Sequence, residues 1–111
     1  MDQMLWNLIA ATRGGTNRGR IIQKLRRGKP LNAHQLSRML SLDYKTTRHH
    51  IAVLAEYGIV TRSVGERQEE VYSLSTLMRD NLDAFDRIWA RVGEQEDQWK
   101  INLGQRRSSS R

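Results

Sequence analysis

Apolar residues recur at helical spacing through the first half of the chain, give way to β-branched runs after Gly58, and return to helical spacing from about Ser75. A period of three to four residues marks an amphipathic helix, and short β-branched runs bounded by turn residues mark strands. Residues 1–12 read as a short amphipathic helix with Met1, Met4, Leu5, Leu8 and Ile9 on one side. Arg13-Gly14-Gly15 breaks it, and Thr16 is the expected cap of a second helix carrying Ile21, Ile22 and Leu25. Gly19 weakens that helix slightly, and Gly28-Lys29-Pro30 closes it.

The next two helices are announced at their ends. Asn32, with Gln35 three residues on, predicts reciprocal capping between side chain and backbone. Leu36, Met39 and Leu40 follow at helical spacing, and Ser41-Leu42 interrupts them. Asp43, with Thr46 at the third position, starts a second helix that runs to about Tyr57. Gly58 is the residue type that closes a helix in the left-handed conformation, letting Ile59 fold back onto Leu54. Thr47, Ile51 and Leu54 share the core side of this helix, whereas Lys45, Arg48, His49 and Ala52 share another. Any soluble helix has a polar outer face, but two helices joined by a short break favour a groove-reading surface here.

Ile59–Val64 and Val71–Leu74 read as strands joined by the turn 65–69, a hairpin placed where a winged helix carries its wing. Arg67 lies near the tip among Glu66, Glu69 and Glu70, whose charge offsets it within a Debye length. A last helix is expected from Ser75 or Thr76, with Met78, Leu82, Phe85, Trp89 and Val92 forming a heptad seam and Asp83 set to pair with Arg87. Such a seam is either internal core or a subunit interface. A domain of this size has little core left to receive five large side chains. A dimer is therefore expected, with the seam packing on its mate and on Leu5, Leu8 and Ile9 of the first helix. Beyond Gly93 the chain is polar, with Trp99, Ile101 and Leu103 as its large apolar groups, and residues 105–111 read as a disordered basic tail. The expected fold is mainly α with a small β-hairpin wing, an α+β winged helix-turn-helix over 13–75. It is flanked by a dimer-contact helix at 1–12, a dimerisation helix at 76–92 and a polar tail at 93–111.

Charge sharpens this picture. The 111 residues include 19 Lys and Arg against 12 Asp and Glu, with a sequence pI near 10.6. Arg13, Arg18, Arg20, Lys24, Arg26, Arg27, Lys29 and Arg38 fall between Gln3 and Leu42 with no acid among them. Acids outnumber bases from Glu66 to Lys100. A field polarised in this way suits a polyanion approaching one side. An anionic membrane competes poorly, because no basic helix with a broad apolar face carries those residues. Cysteine is absent, which excludes disulfides, thiolate metal sites and cysteine nucleophiles. The apolar run Met4–Ala11 is too short to span a bilayer, and Asp2 stands where a signal peptide would be basic, so a cytoplasmic, nucleoid-associated protein is expected.

Arg48 and Lys45 are the candidates for base edges, since such groups pair with guanine acceptors, although Lys45 suits a phosphate equally. Thr46 sits where a hydroxyl and first-turn amides can hold a phosphate. Tyr44 either touches phosphate or packs beneath the helix. Arg18, Arg20 and Arg67 complete the candidate DNA contacts. Protonation of His49 would add charge at the groove. His49 and His50 point about 100 degrees apart on a helix and cannot chelate one ion, and a metal site from His34, His50 and an acid is disfavoured. No metal or cofactor is expected. Asp80, Asp83 and Asp86 read as a solvated face, and no nucleophile or phosphate-loop motif points to an enzyme.

These residues carry a family likeness. Asn32-Ala33-His34-Gln35-Leu36, Asp43-Tyr44-Lys45-Thr46-Thr47-Arg48-His49-His50-Ile51, Leu54 with Gly58-Ile59-Val60, and Val71-Tyr72-Ser73-Leu74-Ser75 resemble small winged-helix regulators of the arsenical-repressor-like (ArsR) superfamily. The likeness is greatest to the archaeal branch without a metal site, and it spans Arg18 to Leu74, about half the chain. It implies sequence-specific duplex DNA binding as a homodimer that regulates transcription, with Lys45, Thr46, Arg48 and His49 in or beside the major groove. Metal sensing is not implied, because the cysteine ligands of such members are missing. Ser41 also stands in a turn where glycine is frequent. The rival readings are a protein-interaction module of the transcription machinery and a chromosome-associated DNA binder without operator specificity. RNA binding lacks an exposed aromatic platform.

Overall fold

The ends predicted from Asn32, Asp43 and Gly58 form through those residues' own hydrogen bonds. In the computed structural model, which describes residues 1–93, the helices are α1 (Asp2–Ile9), α2 (Gly15–Leu25), α3 (Ala33–Leu40), α4 (Tyr44–Glu56), α5 (Thr76–Arg79) and α6 (82–93). The strands β1 (Val60–Val64) and β2 (Glu70–Leu74) lie between α4 and α5. At the start of α3 the Gln35 N–H donates to Asn32 Oδ1 at 2.7 Å, and the Asn32 N–H donates to Gln35 Oε1 at 2.8 Å. At the end of α4, Gly58 takes φ +74°, its N–H donates to the Ala55 carbonyl and the Ile59 N–H returns to Leu54 at 2.9 Å. That pair of bonds satisfies carbonyls the helix would otherwise leave bare. Thr16 is not the cap of α2: Gly14 holds that position in the left-handed conformation and the helix starts at Gly15.

Ser41 performs the turn between α3 and α4 in the conformation usually left to glycine, with φ 55° and ψ 43°. The Leu42 N–H closes the turn on the Ser37 carbonyl at 3.0 Å, and the Arg20 Nη2 donates to the Leu40 carbonyl at 2.9 Å. The antiparallel hairpin pairs Val60 with Leu74 and Val64 with Glu70. Leu31 exchanges two backbone hydrogen bonds with Tyr72, fastening the loop after α2 to the outer edge of β2. Gly28-Lys29-Pro30 gave no sign of this third pairing.

The last third departs from expectation. The helix read from about residue 75 to 92 is two helices, broken at Asp80-Asn81, where the Asn81 side chain donates to the Leu77 carbonyl at 2.8 Å. The break turns α6 back along α2 in antiparallel sense: Asp86 meets Arg26 at 2.6 Å and Trp89 lies against Gly19. One buried cluster therefore runs from Leu5 to Val92. Leu5, Leu8, Ile9, Met78, Phe85 and Val92, expected at a subunit interface, lie inside the chain's own core, whereas Leu82 and Trp89 are partly covered. The stripe α6 buries is Ala84, Phe85, Ile88 and Val92, rotated from the predicted seam. The expected tail at 105–111 and Trp99, Ile101 and Leu103 lie outside the described residues.

Gly19 is the contact point of α2 and α6. A Cβ there would stand 2.1 Å from Trp89 Cζ3, and the Trp89 ring is itself stacked on Phe85 at 5.7 Å between centroids. Helix propensity favours alanine over glycine by about 1 kcal/mol, but overpacking against a ring held from behind costs about 1–3 kcal/mol. Gly19→Ala is expected to lower the unfolding free energy by about 1 kcal/mol or more in urea titration. A stabilised variant would mean that the indole moves aside freely.

Candidate nucleic-acid interface

The candidate surface is the outer side of α4. Thr47, His50, Ile51 and Leu54 are buried, and Lys45, Thr46, Arg48, His49 and Ala52 are exposed. Capping sets where this helix begins: Asp43 Oδ1 accepts from the Thr46 N–H at 2.6 Å, and the hydrogen bonds from Thr46 hold the Asp43 carboxyl below the usual carboxylate range. The Thr46 amide, expected to be available for a phosphate, is thus engaged by the cap.

Tyr44 is packed and exposed at once. Its ring lies flat on the His34 imidazole, with centroids 4.1 Å apart and planes 8° apart. The Arg48 guanidinium sits over the Tyr44 ring, 5.8 Å from its centroid, with Nη1 3.5 Å from the phenolic oxygen. A cation beside an aromatic face keeps its charge while losing rotamer freedom. Arg48 also borders a recess of about 170 Å³ between α4 and the hairpin, shared with His34, Tyr44, Glu70 and Tyr72. Burial, and then the Glu70 carboxylate, push the Tyr72 phenol up.

Within the wing, Arg67 is exposed in the tight turn, where Gln68 adopts φ 62°. Two of its acidic neighbours face elsewhere. Glu70 pairs with Arg62 at 3.5 Å, and Glu69 folds over Gly65 with Oε2 buried and unpartnered. Glu66 remains beside Arg67 in the exposed turn.

Two predicted DNA contacts are placed otherwise. Arg18 is 6% exposed: its Nε donates to the Leu8 carbonyl at 2.8 Å, its Nη2 to the Thr12 hydroxyl, and its Nη1 meets His50 Nδ1 at 3.4 Å. The corner where α1, α2 and α4 meet takes this guanidinium out of reach of any ligand. Burial draws its pKa below the ordinary arginine value. Arg20 is half-buried and braces the α3–α4 turn through the Leu40 carbonyl, with Asn17 as its second partner. Nothing in the pattern of single residues distinguished these two from the exposed cations, because both lie on a helix whose amphipathic stripe is interrupted by Gly19. His34 and His50 are likewise apart, one stacked on Tyr44 and the other beside Arg18. Among the described residues no three His, Asp or Glu side chains gather as a metal site, and no helix is long and apolar enough to cross a membrane.

The arrangement defines a winged helix-turn-helix fold. Residues 16–62, which run from α2 into β1, match the family described as "Bacterial regulatory protein, arsR family". No curated protein matches the sequence. Solved structures share the fold: a MarR transcriptional regulator from Methanosarcina mazei Go1 superposes with TM-score 0.66 at 21% identity, over 93% of this chain and 82% of that one. A probable transcriptional regulator from Pseudomonas aeruginosa gives 0.60 at 23% identity, over 95% and 86% of the two chains. The Staphylococcus aureus MepR-DNA complex gives 0.63 at 19% identity, over 98% and 88%.

The Arg18–His50 contact makes stability depend on pH. A guanidinium only donates, so Nδ1 must accept, which requires a neutral imidazole carrying its proton on Nε2. Burial first, then Arg18 and His49, lower the His50 pKa from its ordinary 6.5. The unfolded chain therefore takes up this proton before the folded one does. The His50 contribution is fully present above pH 6.5 and is lost as pH falls through the lower folded value. Melting temperature should drop between about pH 7 and pH 5, and His50→Gln, which retains an acceptor but cannot titrate, should flatten that slope. An identical slope in the variant would remove His50 as its source.

Proposed function

We propose that this chain binds duplex DNA in a sequence-specific manner as a homodimer and regulates transcription, with α4 in the major groove. The observation that carries this reading is the solvent-open side of α4, where Lys45, Arg48, His49 and Ala52 stand together and Arg48 is steadied by the Tyr44 ring. A small residue among cations permits close approach to base edges, and guanidinium pairs with guanine acceptors. The DNA-bound MepR structure, built on the same fold, supports a nucleic-acid partner. Arg67 on the wing and Lys45 supply phosphate contacts that fix register without reading sequence. Tyr44, Thr46 and His49 border the groove floor, and a cytoplasmic, chromosome-bound location follows.

The dimer is proposed at the end built from α1 and α6. Its apolar surface there is incompletely covered, with Met1, Met4, Trp6, Leu82 and Trp89 only partly buried. Two such protomers would set their α4 helices in successive major grooves roughly 34 Å apart.

Arg48→Ala is expected to weaken specific binding by about 1–3 kcal/mol and to relax one base position in a selection from random duplex. An unchanged sequence logo and affinity would move base reading away from Arg48, and retention of all activity by a chain that binds no duplex would favour the interaction-module reading. In light scattering the protein should have twice the 12.9 kDa chain mass, and Leu82→Asp should halve that mass while preserving helical circular dichroism. A single-chain mass for the unaltered protein would refute the dimer.

A further inference from the structure

Apart from Arg13, the fold sorts the basic residues between Gln3 and Leu42 into two groups. Arg18, Arg20 and Arg26 are tied internally, to the Leu8 carbonyl at 2.8 Å, the Leu40 carbonyl at 2.9 Å and the Asp86 carboxylate at 2.6 Å. Lys24, Arg27, Lys29 and Arg38 instead line one groove of about 410 Å³ between α2, the following loop and α3. Leu31 and Met39 also line it, and no acid does. Among the described residues none of the four cations takes part in an ion pair. Four like charges around one recess repel each other unless an anion joins them, and an apolar surface beneath them screens their field less than water does.

The groove is continuous with the α4 surface. His34 and Arg38 are four residues apart on α3 and so share a side, and His34 is stacked on Tyr44 at 4.1 Å. Lys29 also borders the cleft under the wing turn that Arg67 lines. Donor chemistry selects the occupant. The four cations only donate, and the one lining side chain with an acceptor, Gln35, has its Oε1 engaged by the Asn32 N–H at 2.8 Å. A peptide needs both donors and acceptors for its backbone, whereas a phosphodiester backbone only accepts.

We propose that this groove is a second DNA contact, holding the phosphate backbone of duplex that flanks the segment read by α4. It rests on the duplex binding proposed above and extends the footprint beyond the helix-turn-helix. The test compares Arg27→Gln with Lys29→Gln against a charge-matched pair, Arg13→Gln with Arg79→Gln, on duplexes of about one and about three helical turns. Fluorescence anisotropy across a salt series is the measurement. On the longer duplex the groove pair should lose about tenfold in affinity regardless of sequence, and the slope of log K against log salt should shallow by about 0.9 per lost contact. On the short duplex it should match the control pair.

Equal affinity and slope for the two pairs on the longer duplex would overturn the proposal. Unchanged duplex binding with lost capture of a polyglutamate peptide would overturn it in favour of an acidic protein partner. Arg48→Ala separates the two readings, because it should reduce sequence discrimination while leaving the groove's share of the salt slope intact. Absence of any duplex binding by the unaltered chain would remove both.

Discussion

A guanidinium with no carboxylate beside it among the described residues sits where three helices meet. Arg18 on α2 reaches the Leu8 carbonyl in the last turn of α1, the Thr12 hydroxyl in the connecting loop and the His50 imidazole on α4. Burying such a charge costs several kcal/mol, and each hydrogen bond to it restores about 1.5–3 kcal/mol. The carbonyl end of α1 adds the negative pole of a helix dipole where the cation needs it. Gly14 completes the corner, because a Cβ there would stand 2.8 Å from His50 Cε1 on a backbone already at φ +84°. With its inner side pinned through His50, Ile51 and Leu54, α4 has only one side left to show.

That constraint explains the division of labour among the cations. Side chains on α2 and its C-cap that find partners within the chain serve as braces: Arg18 for the α1–α4 corner, Arg20 for the Leu40–Ser41 turn, Arg26 for α6. Those on the outer sides of α2, α3 and α4 keep their charge at the surface. The same residue type thus does opposite work according to which way its helix faces. A count of basic residues measures only the total field, which is why pI alone says so little about where a polyanion would lie.

Size enters through α6. The core of so short a chain seemed unable to accept five more large side chains, yet Phe85 and Met78 are fully buried. The Asp80-Asn81 break supplies the missing geometry, folding α6 against α2, and Gly19 supplies the space by letting the Trp89 ring approach the helix backbone. A straight helix from residue 75 to 92 would have carried the same residues away from α2 and left them for a partner. What is left uncovered is the rim around Trp6, Leu82 and Trp89.

Most of the architecture was legible residue by residue. The Asn32–Gln35 box, the Asp43 cap and the Gly58 closure depend on groups within about five positions of each other, and the hairpin joins two adjacent β-branched runs, so their physics is contained in short stretches of chain. Tertiary structure decided the rest: the burial of Arg18, the bracing role of Arg20, the split of the last helix, the Leu31–Tyr72 pairing and the fate of the heptad seam. Each of these turns on contacts between residues far apart in the chain, where a side chain's partner is set by how whole helices pack and not by its neighbours in sequence.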